Sequence, residues 1–425
     1  MRTLDAWLEY IGLQHPKAIA LGLERVAGVA ARMGLKPRVP VLIVGGTNGK
    51  GSTCAMLESI LRCAGYRTGL YTSPHLLRYN ERVRVDSREV PDADLCAAFE
   101  AVENARAGTP LTYFEYGTLA MGWLFAREAL DAWVLEVGLG GRLDAVNLFD
   151  ADCAILTSID MDHMDYLGPT REDIGREKAG IFRAGRPAVV ADAKPPQSVL
   201  DAGERIGARL LLGGRDFGFS ADNTQWVYWG PGGKRPALAY PALRGPIQVV
   251  NAAAAIAGLD TLRDRLPVTM QDIRRGLAEV QVPGRFQVLP GRPSVILDVA
   301  HNPQAARVLA DNLSSAGFAP ETRAVFGALR DKDIAGVVQA MIPRITRWYL
   351  ATLGGPRGAS AEELAQILAA AGVKAPFELY ATPAQAYAAA REQSGEADKI
   401  VVFGSFLTVA EVMQHLSKTA NPGIR

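Results

Sequence analysis

A chain of 425 residues is too long for one ordinary hydrophobic core, so two or more compact domains are expected. Forty-six basic against 45 acidic side chains leave a net charge of +1, which excludes a bulk field steering nucleic acid or a membrane surface and points to small-molecule partners. With 48% apolar and 21% charged residues the balance is globular, and four cysteines without a Cys-x-x-Cys pair suit reduced thiols rather than a disulfide framework.

The N-terminal "MRTLDAWLEYIGLQ" carries Asp5 and Glu9 and reads as an amphipathic helix, not a signal peptide. A buried strand "VPVLIVG" then runs into "VGGTNGKGST", and the helix pattern "STCAMLESILRCAG" follows with Met56, Leu57, Ile60, Leu61 and Ala64 on one side. Strand, Gly-rich turn, lysine and helix N-terminus in that order form a phosphate-binding loop, since converging backbone N–H groups and the helix dipole both favour an anion. The loop departs from the usual Gly-x-x-x-x-Gly-Lys-Ser/Thr pattern: Val44 stands at the first position, and Gly51 separates Lys50 from Ser52. Lys50 is placed to contact the outer phosphates, and Ser52 or Thr53 a magnesium ion.

Further along, "DAWVLEVG", "ADCAILTS" and "RPAVVA" read as buried strands. Glu136 closes the first of them, ahead of a glycine turn to Arg142 and Asp144, and ligands of such sheets lie beyond the carboxyl ends of the strands. "TSIDMDHMDYLG" offers Asp160, Asp162, His163 and Asp165 within six residues, a metal-like cluster unless it is a solvated loop. "REDIGREKAGIF" reads as a helix; spacing alone does not single out Lys178. A hairpin is expected around Pro231-Gly232-Gly233. The Ala-rich run from Gly245 to Leu259, at about 15 residues, is short of the roughly 20 a membrane span needs.

"VQVPGRFQVLPGRPSV", rich in proline and glycine, marks the expected domain boundary. Beyond it, apolar runs at "SVILDVA", "RAVFGAL", "RWYLAT", "PFELYA" and "KIVVFGS" alternate with helical patterns, which implies a parallel sheet covered on both faces. One helix is signed at both ends, by a Ser360–Glu363 capping box and by Gly372.

In order along the chain, "GGTNGKGST", "YTSPHLLRYNERVRVD", "TYFEYGTLA", "LEVGLGGRLDAVN", "DHMDYLG", "IGREKAGIF", "PGRFQ", "LDVAHNP" and "VVFGSF" resemble folylpolyglutamate synthase/dihydrofolate synthase of the bifunctional bacterial type, in the Mur ligase superfamily. The family's loop, G-T-N-G-K-G-[ST], accounts for both departures. The resemblance implies an α/β fold: residues 1–285 as a P-loop ATPase domain with a central, mostly parallel sheet that also binds folate, and residues 286–425 as a smaller, doubly wound, Rossmann-like glutamate-ligase domain. It also implies ATP-dependent addition of L-glutamate to dihydropteroate and to the γ-carboxylate of tetrahydrofolate, through an acyl phosphate.

Carried over motif by motif, Thr47, Asn48, Gly49, Lys50, Gly51 and Ser52 would hold ATP phosphates, with Asn251, Arg285 and Asp298 completing the nucleotide site. Ser73, Glu136, His163 and Lys178 match magnesium ligands, Lys178 as a carbamate, with potassium an optional second cation. Lys50, His163 and Lys178 would be the catalytic set. Thr112, Tyr113, Phe114 and Glu115, with Leu143, Asp144 and Ala145, match the pterin-carrying substrate site; His301 and Ser405 match residues tied to incoming glutamate. Each has a structural rival: Asn251 as the N-cap of the Ala-rich helix, Asp298 and Ser405 as caps, Phe114 as core, His75 as a turn residue. Two positions depart from the pattern, Ala20 in "IALGLERV" and Arg330 in "GALRDKD".

A monomer in the cytoplasm is the expected state, with no nucleic-acid or membrane partner. Competing readings are a synthase that only extends polyglutamates, a peptidoglycan-type Mur ligase and a P-loop switch ATPase. The second is disfavoured because the phosphate loop begins by residue 45, which leaves no room for an N-terminal nucleotide-sugar domain.

Overall fold

The structure is a computed structural model that describes residues 2–17 and 19–420. The chain divides into two compact units, Met1–Ala242 with Gln248–Val280, and Leu243–Ile247 with Gln281–Arg425. The division at Val280/Gln281 falls at the start of the proline- and glycine-rich segment that marked the expected boundary, a few residues before the 285/286 cut that the resemblance implied.

The first unit is built on β1 (Val41–Gly45), β2 (Thr68–Tyr71), β3 (Val83–Val85), β4 (Arg88–Glu89), β5 (Ala132–Glu136), β6 (Cys153–Leu156), β7 (Pro187–Val190) and β8 (Arg209–Leu212). They form one eight-stranded sheet in the order β4-β3-β2-β5-β1-β6-β7-β8. All pairs are parallel except β2–β3 and β3–β4. Central strands such as VLIVG are buried along their whole length, as expected for a sheet covered on both faces. Strand β1 lies between β5 and β6, with Val44 opposite both Glu136 and Ile155. That register brings the turns after three strands to one place at the carboxyl edge.

A second, antiparallel sheet of the same unit contains β9 (Gly218–Ala221), β10 (Gln225–Gly230) and β11 (Gly233–Ala239), with the hairpin turning at Pro231-Gly232 as expected. Short strands β2, β3, β4, β8 and β9 were not legible: TGLY and RE offer no apolar run long enough to carry a period.

The second unit carries a six-stranded sheet of β12 (Gln287–Leu289), β13 (Ser294–Leu297), β14 (Thr322–Phe326), β15 (Arg347–Ala351), β16 (Phe377–Tyr380) and β17 (Lys399–Phe403), in the order β12-β13-β17-β14-β15-β16. Five strands match the expected parallel series. The supposed boundary segment is not merely a connection, because Gln287–Leu289 pairs antiparallel with β13. Its core stacks Phe326, Phe403 and Trp348, with ring centroids 5.0–6.1 Å apart. The helix Ala361–Ala370 has the Ser360–Glu363 capping box read from sequence, and Gly372 lies beyond its end with φ +76°.

Helix Met270–Glu279 packs on helix Lys50–Cys63 at a glycine: a β-carbon on Gly276 would stand 2.5 Å from Ile60 Cα. The Gly276 carbonyl also accepts the Ser59 hydroxyl at 2.8 Å. Backbone, unlike a side-chain tip, cannot give way, so Gly276→Leu is expected to lower unfolding free energy by about 3 kcal/mol in urea titration.

Candidate active site

Between β1 and helix Lys50–Cys63 the turn has a shape only glycine allows at two points. Gly46 has φ +141° and a β-carbon there would collide with Thr157 Oγ1; Gly49 has φ +89° and its β-carbon would lie 2.6 Å from Asn251 Oδ1. The turn is stitched to the segment after β6. Thr47 N–H donates to Ser158 O at 2.6 Å, Asn48 N–H to Ser158 Oγ at 3.1 Å, and Thr157 Oγ1 to Asn48 O at 2.6 Å. Ser52 and Thr53 are both buried in the first turn of the helix, and Thr53 Oγ1 has no hydrogen-bond partner among the described residues. The Asn251 N-cap reading is wrong: its helix starts at Pro246, and Asn251 sits within it, bonded to Gln248 Oε1 at 3.0 Å and facing the loop.

Two lysines meet at this turn. Lys50 Nζ donates to Gly46 O and Thr47 O, each at 3.1 Å, and Lys178 Nζ donates to the same Gly46 O at 2.9 Å. Helix Arg171–Ala179 buries Lys178, and burial, with the nearby Lys50 charge second, lowers its pKa to about 7. Lys178 is therefore substantially a neutral amine, a nucleophile, near neutral pH. Glu136 is buried at the end of β5, where its Oε2 accepts Ser73 N–H at 3.0 Å; a β-carbon on Gly51 would lie 3.6 Å from the same oxygen.

The acidic run after β6 does not assemble as a cluster. Asp160 Oδ1 accepts Met161 N–H and Asp162 Oδ1 accepts His163 N–H, so both carboxylates shape the turn. Among the described residues no three His, Cys, Asp or Glu side chains gather in a metal-holding group. His163 itself is held at φ +52°, the cap of a short helix, Met164–Leu167. A non-glycine residue in that region carries strain that a rigid surrounding must maintain. The four-residue set Ser73, Glu136, His163 and Lys178 contains two such side chains, a hydroxyl and an amine. Glu136 accepts the Ser73 N–H and lies against the phosphate loop, an oxygen donor of the kind a hard divalent cation takes.

Thr112 and Glu115 are occupied structurally. They form the capping box of helix Tyr113–Arg127, and Glu115 also pairs with Arg25 at 2.8 Å. Arg25 in turn reaches the carbonyl of Ala20, the position that departs from the family pattern. Tyr113 and Phe114 are half-buried beside Tyr79 and Tyr71, with centroids 5.7 and 5.9 Å apart. Arg82 lies over the rings of both Tyr79 and Tyr113. Its Nε donates to His75 Nδ1 at 2.8 Å, so that nitrogen is an acceptor and the proton of the neutral ring is on Nε2. Burial, then the Arg82 charge, lowers the His75 pKa to about 4. His75 is thus more than a turn residue, and Arg82, Tyr71 and Tyr79 were missed; all belong to the quoted motif "YTSPHLLRYNERVRVD", whose roles spacing does not separate. Glu81 holds the loop by accepting the N–H groups of Leu76, Leu77 and Arg78 at 2.7 Å each. Asp144, between Leu143 and Ala145, accepts Leu139 N–H at 2.8 Å and Val146 N–H at 2.9 Å, folding the "GLGGRLD" turn.

In the second unit, Asp298 follows β13 and accepts Phe286 N–H and Ala300 N–H, both at 2.8 Å, rather than capping a helix; Asn302 is the cap there. Burial raises its pKa, against the opposing pull of Arg285. Phe406 gathers the rest: the Arg285 guanidinium is 5.7 Å and the His301 ring 5.9 Å from its ring centroid, and Ser405 precedes it. His301 Nδ1 donates to Val299 O at 2.8 Å, and Ser405 Oγ accepts Leu407 N–H at 3.2 Å, so the cap reading of Ser405 holds in part. Phe286 has φ +43°, a second strained residue beside named positions. Arg330 makes an exposed bidentate pair with Glu363.

A phosphate loop with a mid-sheet carboxylate and a buried lysine, followed by a separate parallel-sheet unit, defines a ligase of the Mur class. Family models agree: residues 44–258 match the Mur ligase middle domain and residues 284–406 the Mur ligase glutamate ligase domain. The chain is 46% identical to the Escherichia coli dihydrofolate synthase/folylpolyglutamate synthase over 99% of its own length and 97% of that protein's. It is similar to a solved structure of E. coli FolC in complex with DHPP and ADP, with TM-score 0.94, 45% identity and 99% of each chain covered. It is also similar to a bifunctional folylpolyglutamate synthase/dihydrofolate synthase solved with Mn, AMPPNP and L-glutamate bound, with TM-score 0.91, 45% identity and 98% of each chain covered. This chain belongs to the dihydrofolate synthase/folylpolyglutamate synthase family.

Asp144 supplies a pH-dependent check of this geometry. Burial pushes its carboxyl up to about 7, despite the backbone N–H groups that favour the anion. The unfolded chain loses that proton near pH 4 and the fold retains it, so stability from this group falls as pH rises from about 4 to about 7. The stability advantage of the native chain over Asp144→Ala is expected to shrink by about 4 kcal/mol across that window in urea titrations, and then to level off.

Proposed function

We propose that this chain is an ATP-dependent amide ligase that adds L-glutamate to dihydropteroate and then to the γ-carboxylate of tetrahydrofolate, through an acyl phosphate. The observation that carries the reading is the convergence of Lys50, Lys178 and, one strand away, Glu136 on a phosphate loop of the form GTNGKGS. A carboxylate is a poor electrophile, and phosphorylation gives it a leaving group; the enzyme's task is positioning and neutralising charge. In this reading Thr47 to Ser52 and Asn251 bind the ATP phosphates, with Lys50 offsetting their charge, and Arg285 and Asp298 also serve the nucleotide.

Ser73, Glu136, His163 and the carbamate of Lys178 would hold magnesium, which when bound supplies further neutralisation of the transferring phosphoryl group. Tyr113 and Phe114, with the turn at Leu143, Asp144 and Ala145, serve the pterin. Thr112 and Glu115 act there by fixing the first turn of the helix that carries both rings. His301 and Ser405 serve incoming glutamate. Residues 1–285 form the ATP- and folate-binding domain and residues 286–425 the glutamate-ligase domain. The protein acts in the cytoplasm, where its free cysteines suit a reducing compartment, and as a monomer, as the family resemblance implies.

ADP release with glutamate and either dihydropteroate or tetrahydrofolate tests the assignment. Both substrates are expected to sustain it, with amide products visible by mass spectrometry. ADP without an amide product would overturn ligation, and silence with dihydropteroate alone would remove the synthase half. Lys178→Ala is expected to lower kcat by about 1,000-fold, with partial recovery in bicarbonate, since it removes one of the groups that would hold the charge-neutralising magnesium. Unchanged turnover in that variant would take Lys178 out of the site.

A further inference from the structure

The opposite edge of the eight-stranded sheet carries a feature that the ligase chemistry does not use. Where β6, β7 and β8 begin, a cleft of about 160 Å³ is lined by Arg186, Arg209 and Arg265, with Asp152, Thr261 and Asp264. Two of the guanidiniums share one carboxylate oxygen: Arg186 Nη1 is 3.2 Å and Arg265 Nη1 2.7 Å from Asp152 Oδ1. The other oxygen of Asp152 accepts the Val41 N–H at 3.0 Å. One carboxylate thus holds two cations side by side while spending half its capacity on the backbone of β1.

Helix Pro246–Thr261 also ends at the cleft, and its partly negative carboxyl terminus helps to gather guanidiniums. Asp152 and the helix end account for Arg186 and Arg265. Arg209, the first residue of β8, lines the same cleft as a solvent-exposed guanidinium, with no ion-pair or side-chain hydrogen-bond partner among the described residues, so its N–H donors stay open to an incoming ligand. Asp264 does not supply the missing charge, because its side chain is 97% exposed and lies beside Arg263.

We infer that this cleft is an anion site for a phosphoryl group, held by Arg209, Arg186 and Arg265, with the Thr261 side chain on its wall. Planar guanidiniums present paired N–H donors that match phosphate oxygens, and a doubly charged oxyanion offsets a cationic excess that a single carboxylate does not. Asp152 is a positioning residue, fixing two of the three forks before the anion arrives. The site lies at the amino edge of the sheet, whereas the phosphate loop lies at the carboxyl edge after β1.

The test separates the two places. Inorganic phosphate and, in a second arm, a phosphate monoester are titrated calorimetrically at low ionic strength into full-length Lys50→Ala protein, in which the phosphate loop has lost its cation. Saturable binding of either is expected, and Arg209→Ala added to that background is expected to weaken it by about tenfold, the loss of one charge-assisted contact. Arg209→Ala alone should leave ADP release unchanged, which shows that the variant folds. The absence of binding in the Lys50→Ala protein would overturn the proposal, as would binding that Arg209→Ala leaves intact. Arg209→Lys keeps the charge without the fork and should recover only part of the affinity.

Discussion

One carbonyl, that of Gly46, accepts the side chains of both Lys50 and Lys178, and the candidate site is arranged around that shared acceptor. A buried ammonium group loses its hydration, and the neighbouring Lys50 charge adds a smaller penalty against the charged form of Lys178. Lys178 is buried at this turn, and its pKa falls to about 7. The turn can impose this only because its own shape is enforced from outside, by Thr157 against Gly46 and by Asn251 against Gly49. Those neighbours come from the loop after β6 and from the helix Pro246–Thr261, and β1 meets them because it is the strand between β5 and β6. A sheet order, a pair of glycines and a proton equilibrium are therefore links of one chain of cause.

What sequence could convey depended on whether the chemistry was local. Lys50 sits in a motif whose strand, glycines and helix are contiguous, and it was legible as a phosphate contact before any fold was known. Lys178 was not, since its neighbour Lys50 is far away in sequence and nothing in "GREKAG" distinguishes an interior lysine from a surface one. Only the family resemblance singled it out. Asn251 shows the same limit from the other side. An asparagine before a run of alanines reads as a cap, but the helix had already begun at Pro246, which takes the first position without needing an N–H partner.

The fold followed a similar rule. Strands buried on both faces, such as VLIVG and KIVVF, announced themselves through continuous apolar runs. Edge strands did not: β4 has two residues and β12 three, and their positions are settled by a partner strand rather than by their own composition. Capping boxes were legible where serine or threonine and an acid fell three apart, as at Ser360 and Glu363. The same pattern at Thr112 and Glu115 was assigned to substrate instead, and the structure shows both side chains already committed to the helix and, through Glu115, to Arg25. Polar residues in a family motif thus divide into those that face the reaction and those that hold such residues still.

The helix Pro246–Thr261 has a consequence for how this chain can change over generations. From Ala252 to Leu259 every residue is buried, most are alanine, and Gly258 approaches Ile155 so closely that a β-carbon there would lie 2.7 Å from it. Small side chains let the helix axis sit near the sheet, and a larger residue on almost any side would push it away. Because Asn251 rides on this helix and abuts Gly49, such a push would reach the phosphate loop as a displacement. Random substitution in this segment would meet a wall in nearly every direction, so mutational drift has to pass through the exposed faces of other helices. A saturation library of the gene would register this helix as a nearly silent band in which few codons survive.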